Sequence, residues 1–192
     1  SPDVRPDMKS IPVDEIRAEA ERLAQAGFTE LVLTGIHLTS YGRDFTPRQT
    51  LLDAIRAVQD VPGVRRIRLG SLEPTVATVE FAQALRTMDK VCPQFHLALQ
   101  SGSDTVLQRM ARRYNMRMYR QAMENLRAVY PMAAFTTDVL TGFPGETEAE
   151  FEETRDFIRE ARYAKIHVFP YSQREGTKAA VMPGQLSNAE KE

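Results

Sequence analysis

The sequence predicts an α/β domain whose parallel strands curve into a partial, open barrel wrapped by helices, and three observations predict it. Short β-rich runs alternate with amphipathic helical runs along all 192 residues, the pattern of a parallel sheet joined by helical crossovers. No glycine-rich fingerprint follows the first strand run, which argues against a flat dinucleotide-binding sheet. Polar residues and glycines gather at the C-terminal ends of the strand runs, where barrels of this kind collect their chemistry.

In chain order, Ile16, Ala20, Leu23 and Ala24 repeat at helical spacing and Gly27 follows as a stop. Leu31–Ile36 is a continuous apolar run of strand length, as expected of a strand buried on both faces. A loop with Gly42 and Pro47 leads to a helix at Leu51–Gln59, closed by Pro62 and Gly63. Arg65–Ser71 makes the next strand and Val76–Met88 the next helix. Phe95–Ser101 is the third strand, followed by helical patterns at Thr105–Arg112 and Met116–Val129. Phe135–Gly142 is the fourth strand. Thr147 with Glu150 three residues on forms a capping box that opens a helix running to about Arg162. Lys165–Ser172 is the fifth strand. Ser1–Glu192 thus reads as a single TIM-like, partly open barrel domain. Its ends look cut: Ser1–Pro12 is polar and proline-broken, as a scar joined to an interior segment would be, and Leu186–Glu192 stops as a helix begins.

Apolar residues make up 42% of the chain and charged residues 27%, enough for one core. A net charge of −1 provides no global basic field for nucleic acid. No apolar run is long enough to span a bilayer, so a membrane is not an expected partner. The single cysteine, Cys92, excludes an internal disulfide framework and fits a reducing cytoplasm. It also leaves the chain without the thiolates of a cysteine-ligated cluster, and it falls at the end of the barrel away from the polar rim. His37, His96 and His167 sit at different heights along their strands, so no convergent metal site is expected.

Five motifs carry candidate chemistry. In TGIHLTSYGRD, Gly35 lets backbone approach a ligand closely, with an ordinary strand-to-loop turn as the alternative. In SLEP, Glu73 places a carboxylate at a strand tip, suited to an amino group or a ribose hydroxyl, or simply to a solvated loop. LQSGSD offers Gln100 and Ser101 as hydrogen-bonding groups, with free N–H groups at a helix N-terminus able to hold a carboxylate or phosphate. Ser103 can equally cap that helix. Gln108–Arg120 is basic, with Arg109, Arg112, Arg113, Arg117 and Arg120; arginine geometry suits a carboxylate or phosphate, although a solvated helix face accounts for most of them. Thr137–Phe151 carries Asp138 on a buried strand and then a Gly-Phe-Pro-Gly turn, read as a flat apolar shelf for a planar ring.

Taken in order, TGIHLTSYGRD, IRLGSLEP, FHLALQSGSD, the MARRY run, TTDVLTGFPGETEAEFEET and KIHVFPYSQREGT resemble the radical domain of radical S-adenosylmethionine methylthiotransferases, roughly from Ile11 to Gly184. TGIHLTSYGRD is most similar to the branch acting on threonylcarbamoyladenosine in tRNA. The branches acting on isopentenyladenosine in tRNA or on a ribosomal protein tend to carry other residues there. The resemblance implies a [4Fe–4S] cluster beside S-adenosylmethionine, a second cluster on a separate N-terminal domain and a C-terminal RNA-binding domain. It implies that Gly35 contacts the methionine part, that Glu73, Gln100 and Ser101 face the ribose and polar groups, and that Arg112 takes the carboxylate. Thr137–Gly142, with Asp138 and Gly142, and Phe169–Tyr171 would bracket the adenine.

The family's Cys-x3-Cys-x2-Cys motif has no counterpart in this chain, so the chain alone is expected to be inactive and the clusters to belong to a longer parent. Its RNA affinity is expected to be weak, tRNA being a partner of the parent mainly through the missing domains. Losing the first strand leaves Leu31–Ile36 as an open edge, so self-association is expected there. The rival readings are a non-catalytic nucleoside-binding barrel and a hydrolase or aldolase barrel. The second needs a metal triad or a strand lysine, and Lys165 opens its strand at the far end.

Overall fold

Local signals in the sequence become one repeated unit, strand then helix, in the computed structural model, which describes residues 9–191. The reading of the first twelve residues as a joined-on segment therefore lies, for residues 1–8, outside the described residues. Helix α1 (Val13–Gln25) carries Asp14 and Glu15 in its first turn and Arg22 in its last, each opposing the partial charge of that terminus. Five strands follow: β1 (Glu30–Leu33), β2 (Arg66–Leu69), β3 (Gln94–His96), β4 (Ala134–Thr141) and β5 (Lys165–Pro170). The crossovers hold α2 (Leu51–Gln59), α3 (Val79–Arg86), α4 (Asp104–Arg109), α5 (Met116–Val129) and α6 (Glu148–Ala161), and a short α7 (Asn188–Lys191) comes last.

The pairs β1–β2, β3–β4 and β4–β5 are all parallel. Between β2 and β3 the ladder thins to the bridges Ile67↔Val91 and Leu72↔Leu97. There Leu72 N–H donates to His96 O at 2.9 Å and Ala98 N–H to Leu72 O at 3.2 Å. Spatial order follows chain order with no reversal, unlike a doubly wound sheet. Crossovers of one hand then put the helices on one face, and the sheet curves as an open barrel, as the sequence predicts. Leu31, Ile67, Phe95, Phe135 and Val139 are buried toward the helices, against Ile55, Leu85, Tyr119 and Leu126. Their strand neighbours Glu30, Arg68, Gln94, Thr136 and Asp138 are only half-buried and form the inner face.

Four expectations are corrected. The first strand is not buried on both faces, because no layer covers its inner side: Val32 is 56% exposed. The helix expected from Val76 starts at Val79, because Pro74–Val76 form a 3-10 turn and Thr78 takes the cap, accepting Phe81 N–H at 3.2 Å. The helix expected to reach Arg112 ends at Arg109, and Ala111 turns left-handed with φ 55°. The third strand pairs regularly only through His96 and then bulges.

In that bulge, β3 takes four steps from His96 to Gln100 while β4 takes three from Thr136 to Val139. The fully buried Thr137 closes the gap with its side chain, donating to Leu97 O at 2.6 Å and accepting Leu99 N–H at 2.9 Å. Tyr119 also donates to Leu97 O, at 2.8 Å, and Tyr163 donates to the Tyr119 hydroxyl at 2.9 Å. The Tyr114 hydroxyl lies 2.9 Å from Ala98 O and 3.0 Å from Leu99 O.

Among the described residues β1 pairs only with β2, which leaves its other edge open beside the exposed Val32 and Ile36. A light-scattering mass that rises with concentration is the expected result for this chain, and a monomer mass throughout would contradict it.

Candidate functional site

The loops leaving the C-terminal ends of the strands are built on the bulge. Gln100 adopts φ 65° and rejoins β4: its N–H donates to Asp138 O at 2.9 Å and its carbonyl accepts Leu140 N–H at 2.8 Å. Ser101 is fully buried; its hydroxyl lies 3.2 Å from Thr154 Oγ1 and accepts Ser103 N–H at 3.1 Å. Gly102 N–H donates to Thr154 Oγ1 at 2.9 Å, and a Cβ at position 102 would lie 2.6 Å from Thr154 Cα. Only glycine lets this loop touch the α6 backbone. Ser101 therefore supports the loop from beneath rather than facing a ligand. The loop N–H groups of Gly102 and Ser103 are already satisfied, and the Ser103 hydroxyl bonds Thr105 Oγ1 at 3.0 Å instead of capping α4.

The turn after β4 also differs from the expected shelf. Phe143 is buried and packs edge-on against Tyr171, with ring centroids 5.5 Å apart. Val106 completes that cluster, so neither ring is presented flat to a ligand. The buried Tyr171 hydroxyl has no hydrogen-bond partner among the described residues, while Lys191 Nζ donates to Tyr171 O at 3.0 Å. Gly142, at φ 68°, donates its N–H to the Glu146 carboxylate, and burial pushes that carboxyl up. The capping box forms as read: Thr147 N–H donates to Glu150 Oε2 at 2.9 Å and Glu150 N–H to Thr147 Oγ1 at 3.3 Å. Glu150 also takes a two-pronged pair from Arg109, at 3.0 and 2.7 Å, and the Thr105 hydroxyl at 2.6 Å. Arg109 is thus used structurally, tying α4 to α6.

Across the inner face runs a polar row. Glu30 accepts from Arg68 Nε at 2.8 Å, and the two arginines Arg68 and Arg66 hold its carboxyl below the usual range. Gln94 continues the row by donating to Thr136 Oγ1 at 3.3 Å. His96 lies 3.5 Å from Asp138, and β5 sets His167 beside Asp138 in register. Phe169 is exposed on the same strand. Glu73, one-third exposed, lies 3.6 Å from His37 and donates its own N–H to Thr39 Oγ1 at 3.3 Å. Gly35 is exposed just beyond β1 with Leu38 as its neighbour, and Arg112 is exposed past the end of α4.

The structure thus groups Asp138 and Phe169 on β4–β5, places Gly35 and Glu73 beyond β1 and β2, and withdraws Ser101 and Tyr171 from the surface. Cys92 sits before β3, at the far end. Among the described residues no three His, Cys, Asp or Glu side chains converge as a metal site. Sequence reasoning missed His96, Thr136 and His167 as neighbours of Asp138. The period-two alternation of Phe95 with His96, and of Phe135 with Thr136, carried that signal.

The family model of the Radical SAM superfamily matches residues 2–158. The threonylcarbamoyladenosine tRNA methylthiotransferase MtaB of Bacillus subtilis (strain 168) is 42% identical over 179 residues, 93% of this chain and 40% of that protein. The tRNA-2-methylthio-N(6)-dimethylallyladenosine synthase of Thermoanaerobacter sp. (strain X514) is 39% identical over 183 residues, 95% of this chain and 39% of that protein. The chain therefore spans about two-fifths of the length of these curated relatives. Among solved structures, coproporphyrinogen III oxidase (HemN) from Escherichia coli, described as a radical SAM enzyme, superposes with a TM-score of 0.67 at 16% identity. That match covers 93% of this chain and 42% of that one, and it speaks to the fold alone.

Arg109 holds the Glu150 carboxyl down to about 2, from an ordinary value near 4.5. A carboxyl lowered on folding stabilises the fold fully above its unfolded value and loses that contribution as pH falls through its folded one. Unfolding midpoints should therefore drop between pH 4.5 and about 2, and less steeply in Glu150→Gln. Equal acid slopes in chemical denaturation of the two proteins would contradict this.

Proposed function

This chain belongs to the Radical SAM superfamily, and from that membership we propose that it is the radical domain of a tRNA methylthiotransferase acting on threonylcarbamoyladenosine beside the anticodon. The observation that carries the reading is 42% identity to a relative named for that activity, sustained over 93% of the chain. A second reading, the dimethylallyladenosine branch, is favoured by the 39% identity to a synthase of that name. tRNA is the proposed partner and the cytoplasm the proposed setting. No helix among the described residues is long and apolar enough to cross a membrane.

The residues present fit S-adenosylmethionine in part. Glu73 and Asp138 keep about a third of their side chains exposed on or beyond the inner face, so their carboxylates can accept from an ammonium or a ribose hydroxyl. Gly35, Gln100, Arg112 and Gly142 lie in the loops at the C-terminal strand ends and supply backbone and a guanidinium there. When bound, this cosubstrate supplies the methyl group and, on reductive cleavage, the radical. The chain's own role is to orient that molecule and to hold its charged end against fixed groups.

The residues here do not fit a [4Fe–4S] cluster, since Cys92 is the one cysteine and lies at the opposite end of the sheet. We propose that the chain alone is inactive for that reason.

Nucleoside analysis of tRNA from a strain lacking the parent gene should show loss of the methylthio group from threonylcarbamoyladenosine only. Loss from dimethylallyladenosine instead would establish the second reading, and an unchanged profile would contradict both.

A further inference from the structure

The sheet ends in two unlike edges. Among the described residues β1 pairs only with β2, and β5 only with β4. The two edge strands run the same way, since every ladder and every bridge across the sheet is parallel. Apolar side chains stay uncovered along both. Phe28, Val32 and Ile36 are exposed at the β1 edge. At the other, Val168 is 58% exposed although it lies in register with the buried Val139.

The edges match in face as well as in direction. Leu31 is buried toward the helices, and Leu33, two residues on, shares its face. Ile166 and Val168 are in register with the buried Thr137 and Val139, so they also face the helix layer. Glu30 opens β1 on the inner face, and Lys165 opens β5 in register with Thr136 on that same face. Setting Leu31 beside Ile166 therefore sets Leu33 beside Val168 and Glu30 beside Lys165. Apolar side chains meet in the helix layer, and opposite charges meet on the inner face.

Helix placement decides which edge seeks which. Within the chain, crossover helices span every seam: α2 from β1 to β2, α3 to β3, α5 to β4 and α6 to β5. Helix α1 enters β1 and packs beside α2, with Ile16 and Leu23 only partly buried. That is the position of a crossover arriving from a strand beyond β1. The β5 edge offers such a strand and leaves the outer side of Val168 open. Joining β5 of one copy to β1 of the next gives the new seam one helix, α1. Two β1 edges joined about a two-fold axis would run antiparallel and crowd two α1 helices onto one seam.

We infer that copies of this chain associate head to tail, with β1 of one pairing in parallel with β5 of the next and α1 covering the seam. The contact is heterologous: each copy brings two different surfaces, and losing either one stops assembly. It goes beyond the proposed reaction and does not depend on it.

The test blocks the two edges separately in the 192-residue chain and follows mass by light scattering. Val32→Lys puts a charge on the β1 edge and Val168→Lys puts one on β5, both at side chains more than half exposed. Each variant alone should keep one chain's mass at concentrations where the wild type gains mass, with its thermal midpoint unchanged. Mixed in equal amounts they should reach about twice one chain's mass and stop there, since only one intact seam can form. A wild type that stays single would overturn the inference. So would a Val168→Lys variant that still associates alone, which would assign the contact to two β1 edges, or a mixture that stays single. If either lysine variant fails to fold, Val32→Cys and His167→Cys are each made in a Cys92→Ser chain, mixed and oxidised. A disulfide joining the two different variants supports the seam, and one joining only Val32→Cys copies overturns it, as does the absence of any cross-link.

Discussion

One buried hydroxyl bears on most of what makes this sheet usable. Thr137 sits where β3 has one residue more than β4, and its side chain replaces the backbone ladder that the bulge interrupts. Backbone polar groups buried without partners cost about 1–3 kcal/mol each, so a bulge in the core is stable only if something answers Leu97 O, Leu99 N–H and the carbonyls between them. Thr137, Tyr119 and Tyr114 answer them, and Tyr163 backs Tyr119. Burial in that cluster pushes the Tyr119 hydroxyl up to about 12, which keeps it a donor.

The bulge then decides the shape of the C-terminal rim. It turns Gln100 left-handed, rejoins β4 at Val139 and drops Ser101 and Gly102 onto α6. Thr154 receives that loop, and one turn earlier Glu150 locks α6 to α4 through Arg109 and Thr105. Beneath the rim, the strands keep a strict alternation, which is why His96, Thr136 and Asp138 share the inner face while Phe95, Phe135 and Thr137 face the core. A packed outer layer and a half-buried polar inner face thus lie on opposite sides of the same strands.

Much of this was legible in the sequence because the signals were local. The bounds of α2 and α5, the Thr147–Glu150 box and the sequential parallel strands follow from periodicity and capping within a few residues. The bulge was not legible: Leu97, Ala98 and Leu99 read as continuous strand, and the hydroxyl that compensates lies 38 residues away. Ser101 was assigned to a ligand for the same reason, since Thr154, its actual partner, is 53 residues on. The Gly-Phe-Pro-Gly turn read as a shelf because the sequence does not show that Phe143 packs edge-on against Tyr171, 28 residues on.

The most direct test is native-state hydrogen exchange combined with denaturation on Thr137→Val, which keeps the shape and removes the hydroxyl. Leu97 O would keep Tyr119 as its donor, but Leu99 N–H would lose its only acceptor among the described residues. A stability loss of about 2 kcal/mol or more, with the Leu99 and Gln100 amides becoming the fastest of the buried strand amides and Thr137→Ser restoring them, is the predicted result. A valine variant within about 0.5 kcal/mol of wild type and unchanged protection at Leu99 would show that the bulge does not depend on this hydroxyl.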